Sequence, residues 1–430
     1  MSATTGRNEP GSRPGASGPL TEVLDRRLVV ALMMETFGRS FASVGLVLTI
    51  LPITVAALAP DHKDTVLGIL VGLGAIVTAF TGVFFGVTSD RCSSRFGMRR
   101  PFIAVGAAFA VGSLLIMATA SNLPMLFAGN ILFSVATGVH SGGAAALIPD
   151  QIPASYRGRI MGFNTIALTL AGMAAAVLLP RFLDEEAFLF VVPAVIMAVS
   201  TVPLLLVLQD RILAPEQAQI GAGFRDVLAQ ARIHPRDVPD FMWAWAGKAL
   251  VTLGSAFATT YSVYLLTDQL TVSENNLPGL ITITGVVGLL TTLGGAAAGA
   301  YISDRFRIRK RLVLWTSMLI AVGIVICGLA PDVPIYLVGL VIMGIGTGIW
   351  LPVDGALMID VLPGEGRESG KYSAFMQLAD AVPRAAGPFL APVILVVGAI
   401  GTGKYSLLYL LGAAVVVCGG VLVRKIEGSH

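Results

Sequence analysis

Charge, cysteine and histidine are all scarce in this sequence of 430 residues. Charged residues make up 13% of the chain, roughly half of the fraction that a soluble domain carries. The formal net charge is only +3, so nucleic-acid binding has no electrostatic support. Three cysteines are too few for a disulfide framework or a metal-binding cluster. Hydrophobic residues, in contrast, make up 55% of the chain, with a mean hydropathy of +0.81. This composition predicts a membrane protein with many spans.

Twelve apolar runs that are long enough to cross a bilayer follow one another along the chain. They begin near Leu28, Val66, Phe102, Met125, Ile160, Phe188, Phe241, Pro278, Leu312, Ile335, Tyr372 and Ser406. The predicted fold class is therefore all-α, with twelve transmembrane helices. The predicted domains are a disordered cytoplasmic tail (1–27), an N-terminal six-helix bundle (28–208), a cytoplasmic linker with an amphipathic helix (209–240), a C-terminal six-helix bundle (241–423) and a second cytoplasmic tail (424–430).

The positions of lysine and arginine agree with this division of the chain. Of the 29 basic residues, 23 lie on the side that both termini share, and three lie inside spans. The remaining three, Lys63, Arg181 and Lys404, lie on the other side. The positive-inside rule assigns the basic side to the cytoplasm. We therefore predict a multi-pass protein of the plasma (inner) membrane with both termini in the cytoplasm.

The two halves of the chain resemble each other in sequence. Residues 86–91 are echoed by residues 299–305, and residues 147–150 are echoed by residues 357–360. The offsets of 210 to 214 residues match the length of one half. Two six-helix bundles related by a pseudo-twofold axis suit a carrier, because one bundle can rock against the other around a central site.

The loop between the second and third spans carries the most specific motif. It reads GVTSDRCSSRFGMRRP over residues 86–101. A small residue, an Asp-Arg pair and then a glycine with paired basic residues resemble the loop signature of the major facilitator superfamily. The string is most similar to the glycoside carriers of that superfamily and to plant sucrose carriers. The resemblance implies a secondary transporter that takes up a sugar or glycoside by alternating access.

Charged residues at the cytoplasmic ends of the spans form a predicted gating motif. Asp90 can make a charge-assisted hydrogen bond to a basic group or to a helix N-terminus. We predict that this cluster latches the cytoplasmic ends of the two bundles and releases them. The alternative is that the basic residues only anchor the loop to lipid, and that the later acids only cap helices. The predicted motif comprises Gly86, Asp90, Arg91, Arg95, Gly97, Arg99, Arg100, Asp150, Arg157, Asp304, Arg305, Asp360 and Arg367.

Seven ionisable residues fall inside the predicted spans. A charge at the middle of a bilayer is costly unless it is paired or hydrated, so we predict that these residues line the transport pathway. Two acid–arginine pairs are four residues apart, which puts both members on one helix face. The seven residues are Glu35, Arg39, His140, Lys248, Asp354, Asp380 and Arg384.

Three acids and one histidine of this set are candidates for proton coupling. Burial disfavours the charged form of a carboxylate, whereas a nearby arginine favours it, so alternation between the two couples protonation to conformation. We predict the order Asp354, Glu35, Asp380 and then His140, because Asp354 has no base nearby in the sequence. A histidine alone in a span can also be a hydrogen-bonding core residue. Protons, a small-molecule substrate and the lipid bilayer are the predicted partners.

Several departures from known patterns narrow this prediction. Residues 131–145 lack the acid and arginine expected of sucrose carriers, and residues 68–85 lack the sodium-binding acids of melibiose-type carriers. Residues 398–404 match part of a phosphate loop, but Tyr405 replaces the required serine or threonine. We therefore predict proton rather than sodium coupling, with no nucleotide, metal or other cofactor. A monomer is predicted, and an enzyme is not, because no nucleophile–base pair is present.

Other functions remain open at this point. A proton-driven exporter of a hydrophobic drug or secondary metabolite is the main alternative, although residues 166–173 lack the Gly-Pro-rich signature of many drug/proton antiporters. An ion channel would require a continuous polar stripe, which the clustered charges do not form. A sensor that kept the carrier fold would tolerate the loss of Asp90 and Asp354.

Overall fold

The computed structural model describes residues 25–145, 147–210, 238–273, 275–306, 308–361, 369–398 and 404–426. The predicted amphipathic helix of the linker and most of both predicted tails lie outside these ranges. The predicted domain boundaries therefore stay predictions.

Helices account for all the membrane-crossing segments among the described residues. Eleven helices are long and apolar enough to cross a membrane, and two further helices bent by 44° make a twelfth span if they are taken together. The spans are α1 (Arg26–Leu58), α2 (Pro60–Ser89), α3 (Arg100–Ala118), α4 (Leu123–Ala144), α5 (Ala154–Leu178), α6 (Glu186–Val207), α7 (Pro239–Thr260 with Ser262–Gln269), α8 (Leu277–Phe306), α9 (Arg309–Gly328), α10 (Val333–Asp360), α11 (Ser369–Gly398) and α12 (Lys404–Leu422). The predicted all-α class with twelve spans is confirmed.

Polar side chains mark where some of these helices begin. The side chain of Asp25 accepts a hydrogen bond from the backbone N–H of Arg27 at 2.9 Å, and Asn122 accepts one from Met125 at 3.0 Å. Each side chain satisfies a backbone donor that has no partner within its own helix. Pro124 lies in the first turn of α4, where the missing N–H leaves no hydrogen bond unmade.

Glycines bring equivalent helix pairs into backbone contact in both halves. In the N-terminal half, a Cβ added to Gly142 of α4 would lie 2.7 Å from the carbonyl oxygen of Gly82 of α2. In the C-terminal half, a Cβ added to Gly348 of α10 would lie 2.2 Å from the carbonyl oxygen of Thr292 of α8. Only residues without a large side chain allow helices to approach this closely. The pairing of α2 with α4 is therefore repeated by α8 with α10.

A pair of basic residues repeats the same contact at the ends of the two halves. Arg100, at the start of α3, donates to the backbone oxygen of Leu205 in α6. Lys310, at the start of α9, donates to the backbone oxygen of Ile426 beyond α12 at 2.6 Å. The two donors are 210 residues apart, which is the offset of the sequence repeat. The two donors are therefore repeat equivalents, and each ties the third helix of its half to the sixth helix or the residues that follow it.

The number of spans defines two faces of the molecule. Because twelve spans separate them, Arg26 and Ile426 lie on the same side, which we call the terminal face. The connections from α1 to α2, from α7 to α8 and from α11 to α12 lie on the other side, which we call the opposite face.

Candidate transport cavity

A cavity of about 700 Å³ lies between the two halves. Helices α1, α2 and α4 form the wall from the N-terminal half, and α7, α10 and α11 form most of the wall from the C-terminal half. A cavity of this volume can hold a small organic molecule. Three of the seven intramembrane residues singled out from the sequence, Arg39, Asp380 and Arg384, line it directly.

One cluster of buried charge lies in the N-terminal half, and we call it the N-half cluster (Glu35, Arg39 and His140). Glu35 is only 2% exposed. One of its carboxylate oxygens lies 2.8 Å from Nε of Arg39 and 2.7 Å from Nε2 of His140. The other ring nitrogen of His140, Nδ1, is buried and has no hydrogen-bond partner among the described residues. The cluster therefore joins α1 to α4 through a single carboxylate oxygen of Glu35.

A second cluster lies in the C-terminal half, and we call it the C-half cluster (Lys248, Asp354, Asp380 and Arg384). Nζ of Lys248 in α7 donates to Asp354 in α10 at 2.9 Å, and it lies 3.9 Å from Asp380 in α11. Asp354 is 2% exposed. The sequence offered no base close to Asp354, but the fold supplies Lys248 from a position 106 residues away.

The two clusters occupy equivalent places in the repeat but differ in chemistry. Arg39 and Lys248 are 209 residues apart and follow Gly38 and Gly247, so they are repeat equivalents. The acid that neutralises Arg39 lies one turn away on the same helix, whereas the acid bonded to Lys248 belongs to another helix. Trp350 stands 210 residues after His140, with Nζ of Lys248 at 5.2 Å from its ring centroid. The helices of the two halves therefore follow the pseudo-twofold repeat, whereas the ionisable side chains at equivalent positions differ in type and in partner.

The opposite face is closed by polar contacts between the halves, which we call the opposite-face network. Lys63 donates to Asp268 at 2.6 Å, and Lys404 forms an ion pair with Asp64. The hydroxyl of Tyr405 lies 3.0 Å from a carboxylate oxygen of Asp64 and 2.8 Å from one of Asp268. Sequence reasoning did not single out these residues as a site, although Lys63 and Lys404 are two of the three basic residues assigned to this side.

Two buried tyrosines extend the closure toward the cavity. Tyr261, at the bend of α7, donates to the backbone oxygens of Asp64 at 3.1 Å and Pro388 at 3.3 Å. Tyr264 donates to the backbone oxygen of Pro52 at 2.9 Å. The carbonyl of Pro388 is available because Pro392, one turn later, has no N–H to bond to it.

At the terminal face, the predicted gating motif forms an ion-pair cluster within the N-terminal half. Arg99, whose side chain is 5% exposed, pairs with Asp90 and lies 3.2 Å from Asp150. Asp210 accepts hydrogen bonds from the backbone N–H groups of Arg99 and Arg100 and thereby caps α3. Gly97 has a φ of +102°, and any side chain there would collide with Asp210.

The equivalent site in the C-terminal half uses a residue that sequence reasoning missed. Arg309 donates to Asp360 at 2.5 Å, and both residues lie 210 positions after Arg99 and Asp150. The repeat offset alone would have identified Arg309.

Other residues of the predicted motif make contacts of their own, and two are not fully described. Arg95 lies exposed over the ring of Phe96, Arg157 donates to the backbone oxygen of Ile152 at 3.0 Å, and Arg305 is exposed. Gly86 approaches the backbone of Gly142. The side chain of Asp304 and all of Arg367 lie outside the described residues. The latching role of the motif stays a prediction.

Asp90→Asn tests that role. We expect normal expression but a turnover in proteoliposomes that falls roughly two- to fivefold, because a half-exposed ion pair contributes up to about 1 kcal/mol. Turnover would be measured with a solute that stabilises the purified protein against heat. Asp61→Asn, an exposed acid at the opposite face, is the control. Equal turnover in both variants would contradict the latch.

The chain belongs to the Major Facilitator Superfamily, because residues 28–388 match the profile of that family. Among solved structures, it is similar to a bacterial homologue of the human lysosomal transporter Spinster in an inward-facing, unoccupied conformation. That match has a TM-score of 0.67 at 14% identity and covers 93% of this chain and 94% of the other. A D-xylose-proton symporter gives a TM-score of 0.65 at 19% identity, covering 94% and 97%. At these identities the likeness defines the fold, and it confirms the predicted superfamily architecture.

One curated relative is similar over a shorter stretch. The glucose transporter GlcP of Staphylococcus epidermidis is 30% identical over 152 residues. The match spans 32% of this chain and 32% of the relative, about a third of the length of each.

Proposed function

We propose that this protein is a secondary transporter that moves a sugar or glycoside-like solute across the plasma membrane by alternating access, together with protons. The central cavity supports this most directly. It lies between two pseudo-symmetric halves, it is closed at the opposite face by contacts between them, and buried ionic clusters lie in its walls. Such a cavity can open to one side and then to the other when the halves rock.

The N-half cluster supports proton coupling. When Glu35 is charged, both Arg39 and His140 can bond to it, and when it is protonated it loses this attraction. Because the cluster joins α1 to α4, its protonation state bears on how the helices of the cavity wall are held. We therefore propose Glu35 with His140 as the proton carrier, and Asp354, which is likewise bonded to a base, Lys248, as the alternative.

A sugar-like substrate is supported by the relatives and by the cavity wall. A glucose transporter and a D-xylose-proton symporter are among the similar proteins. Hydroxyl and amide groups from both halves line the cavity, among them Ser43, Thr78, Asn130, Ser255 and Thr259. Such groups can exchange hydrogen bonds with the hydroxyls of a sugar.

The terminal face is assigned to the cytoplasm in this proposal. The described basic residues concentrate there, as the positive-inside rule requires. The opposite-face network then faces the exterior, and its separation would admit solute from outside.

Export of a hydrophobic compound is the second candidate, and the composition of one wall favours it. Val44, Leu46, Val47 and Leu51 of α1 all line the cavity. Uptake of a labelled sugar into proteoliposomes under an inward proton gradient would support import. Outward movement of a lipophilic dye in exchange for protons entering down the same gradient, without sugar transport, would support export.

Gly68→Ala tests alternating access. An added Cβ at Gly68 of α2 would lie 2.4 Å from the backbone oxygen of Pro388 in α11, so the closed opposite face must loosen. Overpacking costs about 1–3 kcal/mol, which shifts the ratio of open to closed molecules by roughly 5- to 150-fold. Spin labels at Asp61 and Asn276 should report longer distances, and labels at Ser93 and Arg424 on the terminal face shorter ones.

Gly279→Ala is the matched control, because a Cβ added to Gly279 would meet no side chain and no other helix within 4 Å in the described part of the chain. Its distance distributions should equal those of the unmodified protein. Distances at both faces that are unchanged in Gly68→Ala, or that lengthen at both faces together, would contradict alternating access.

A further inference from the structure

The N-half and C-half clusters contain equal numbers of acids and bases, but the bases differ in how strongly each is bonded to an acid. The two clusters contain three acids and three bases, so their formal charge is zero when His140 is neutral. The acids are Glu35, Asp354 and Asp380, and the bases are Arg39, Lys248 and Arg384. Glu35 and Asp354 are each hydrogen-bonded to a base.

Arg384 is the base with the weakest attachment. Its distance to Asp380 is 3.8 Å, which is too long for a hydrogen bond, and its side chain is 66% exposed. Asp380 already accepts a hydrogen bond from Thr252 at 3.2 Å and lies 3.9 Å from Lys248. Because Arg384 lines the cavity, its planar array of donors is available to a solute there.

A second guanidinium lines the same cavity from the other half. Nε of Arg39 is bonded to Glu35, and the side chain is 27% exposed. Guanidinium groups bind carboxylates through paired hydrogen bonds that are stronger than those to neutral oxygens. Each half therefore contributes one guanidinium, Arg39 or Arg384, that can bind a solute carboxylate in the cavity.

Two hydroxyl groups on α7 can bind hydroxyl groups elsewhere on the same solute. Ser255 donates to the backbone oxygen of Val251 at 2.8 Å, and Thr259 donates to that of Ser255 at 3.1 Å. Their hydrogens are committed to the helix, so their oxygens can only accept. These oxygens can therefore accept hydrogen bonds from the hydroxyl groups of a solute.

We propose that Arg384, with Arg39 opposite, binds a carboxylate of the substrate, and that the transported solute is a hydroxylated monocarboxylate of the sugar-acid class. This inference rests on the proposed transport function and specifies its substrate. A bound monoanion makes the neutral set of groups negative by one, and one proton at the N-half cluster restores neutrality. Because a net charge is costly in a closed cavity, each cycle carries one anion with one proton and moves no net charge.

The experiment uses the purified full-length protein in liposomes with a trapped pH dye. D-Glucuronate and D-gluconate, added outside, are expected to acidify the interior, whereas D-glucose and methyl β-D-glucoside are not. A potassium–valinomycin potential of either sign should change the rate of acidification less than twofold. Protein-free liposomes give the background.

Arg384→Gln is expected to raise the half-saturating concentration of D-glucuronate at least tenfold, and Arg384→Lys should restore part of the loss. Arg181→Gln, an exposed arginine at the opposite face, is the matched control and should leave this concentration unchanged. Thermal unfolding of each variant without solute checks that the protein is folded.

The outcomes separate this inference from the function on which it rests. If D-glucose acidifies the interior as fast as D-glucuronate, the transporter proposal holds and the carboxylate site is wrong. If the spin-label distances alternate but no acid in the set drives proton entry, the sugar-acid assignment is wrong. An unchanged half-saturating concentration in Arg384→Gln, or rates that follow the imposed potential, would also overturn it.

Discussion

Glu35→Gln is expected to abolish proton-driven accumulation of solute while leaving exchange of solute between the two sides. The carboxylate of Glu35 accepts hydrogen bonds from Arg39 and His140, and each such bond to a charged group contributes about 1.5–3 kcal/mol. A glutamine keeps an amide oxygen that can accept both bonds, but without the negative charge that strengthens them. An amide cannot release a proton, so uptake should also lose its dependence on the proton gradient.

The measurement is uptake into proteoliposomes with and without an inward proton gradient, compared with counterflow at equal pH. His140→Gln is the companion variant, because it removes the other titratable group and keeps Glu35 next to Arg39. Gradient-dependent accumulation that survives in Glu35→Gln would exclude Glu35 as the proton carrier. If gradient-dependent accumulation is lost in His140→Gln but kept in Glu35→Gln, His140 is the proton carrier.

Lys248→Met should destabilise the protein strongly. It removes the hydrogen-bonded partner of Asp354, whose carboxylate is buried. Breaking a buried ion pair by removing one member costs about 3–5 kcal/mol, whereas replacing both members with apolar residues is often neutral. We therefore expect a large fall in thermal stability for Lys248→Met and recovery in the double variant Lys248→Met/Asp354→Leu, with transport lost in both.

Unfolding in detergent, followed by tryptophan fluorescence, measures both variants. Lys425→Met is the control, because Lys425 is exposed and its Nζ lies over the ring of Trp243, 4.2 Å from the ring centroid. Its loss should cost about 1 kcal/mol or less. A Lys248→Met protein as stable as the control would show that the buried pair does not hold α7 to α10.

The sequence was sufficient for the scaffold, because bilayer thickness and the repeat constrain it directly. Apolar runs of fixed length predicted the twelve spans, and the offset of about 210 residues related Asp150 to Asp360. That same offset identifies Arg309 as the equivalent of Arg99, a pairing that motif reading alone overlooked.

The grouping of the intramembrane charges could not be predicted in the same way. Helical spacing pairs Glu35 with Arg39 because they are four residues apart. It says nothing of Lys248 and Asp354, which meet only when α7 packs beside α10. The opposite-face network could not be predicted for the same reason, because Lys63 and Asp268 are 205 residues apart and meet only in the folded protein.

Tyr405 has a single hydroxyl hydrogen for two carboxylates, and this matters when the halves part. Asp268 belongs to the same half as Tyr405, whereas Asp64 belongs to the other. As Asp64 withdraws, the hydroxyl can turn fully toward Asp268, whose own bond to Lys63 is breaking at that moment. If the halves separate as proposed, the hydroxyl of Tyr405 therefore keeps a carboxylate partner within its own half while its bond across the opposite-face network is broken.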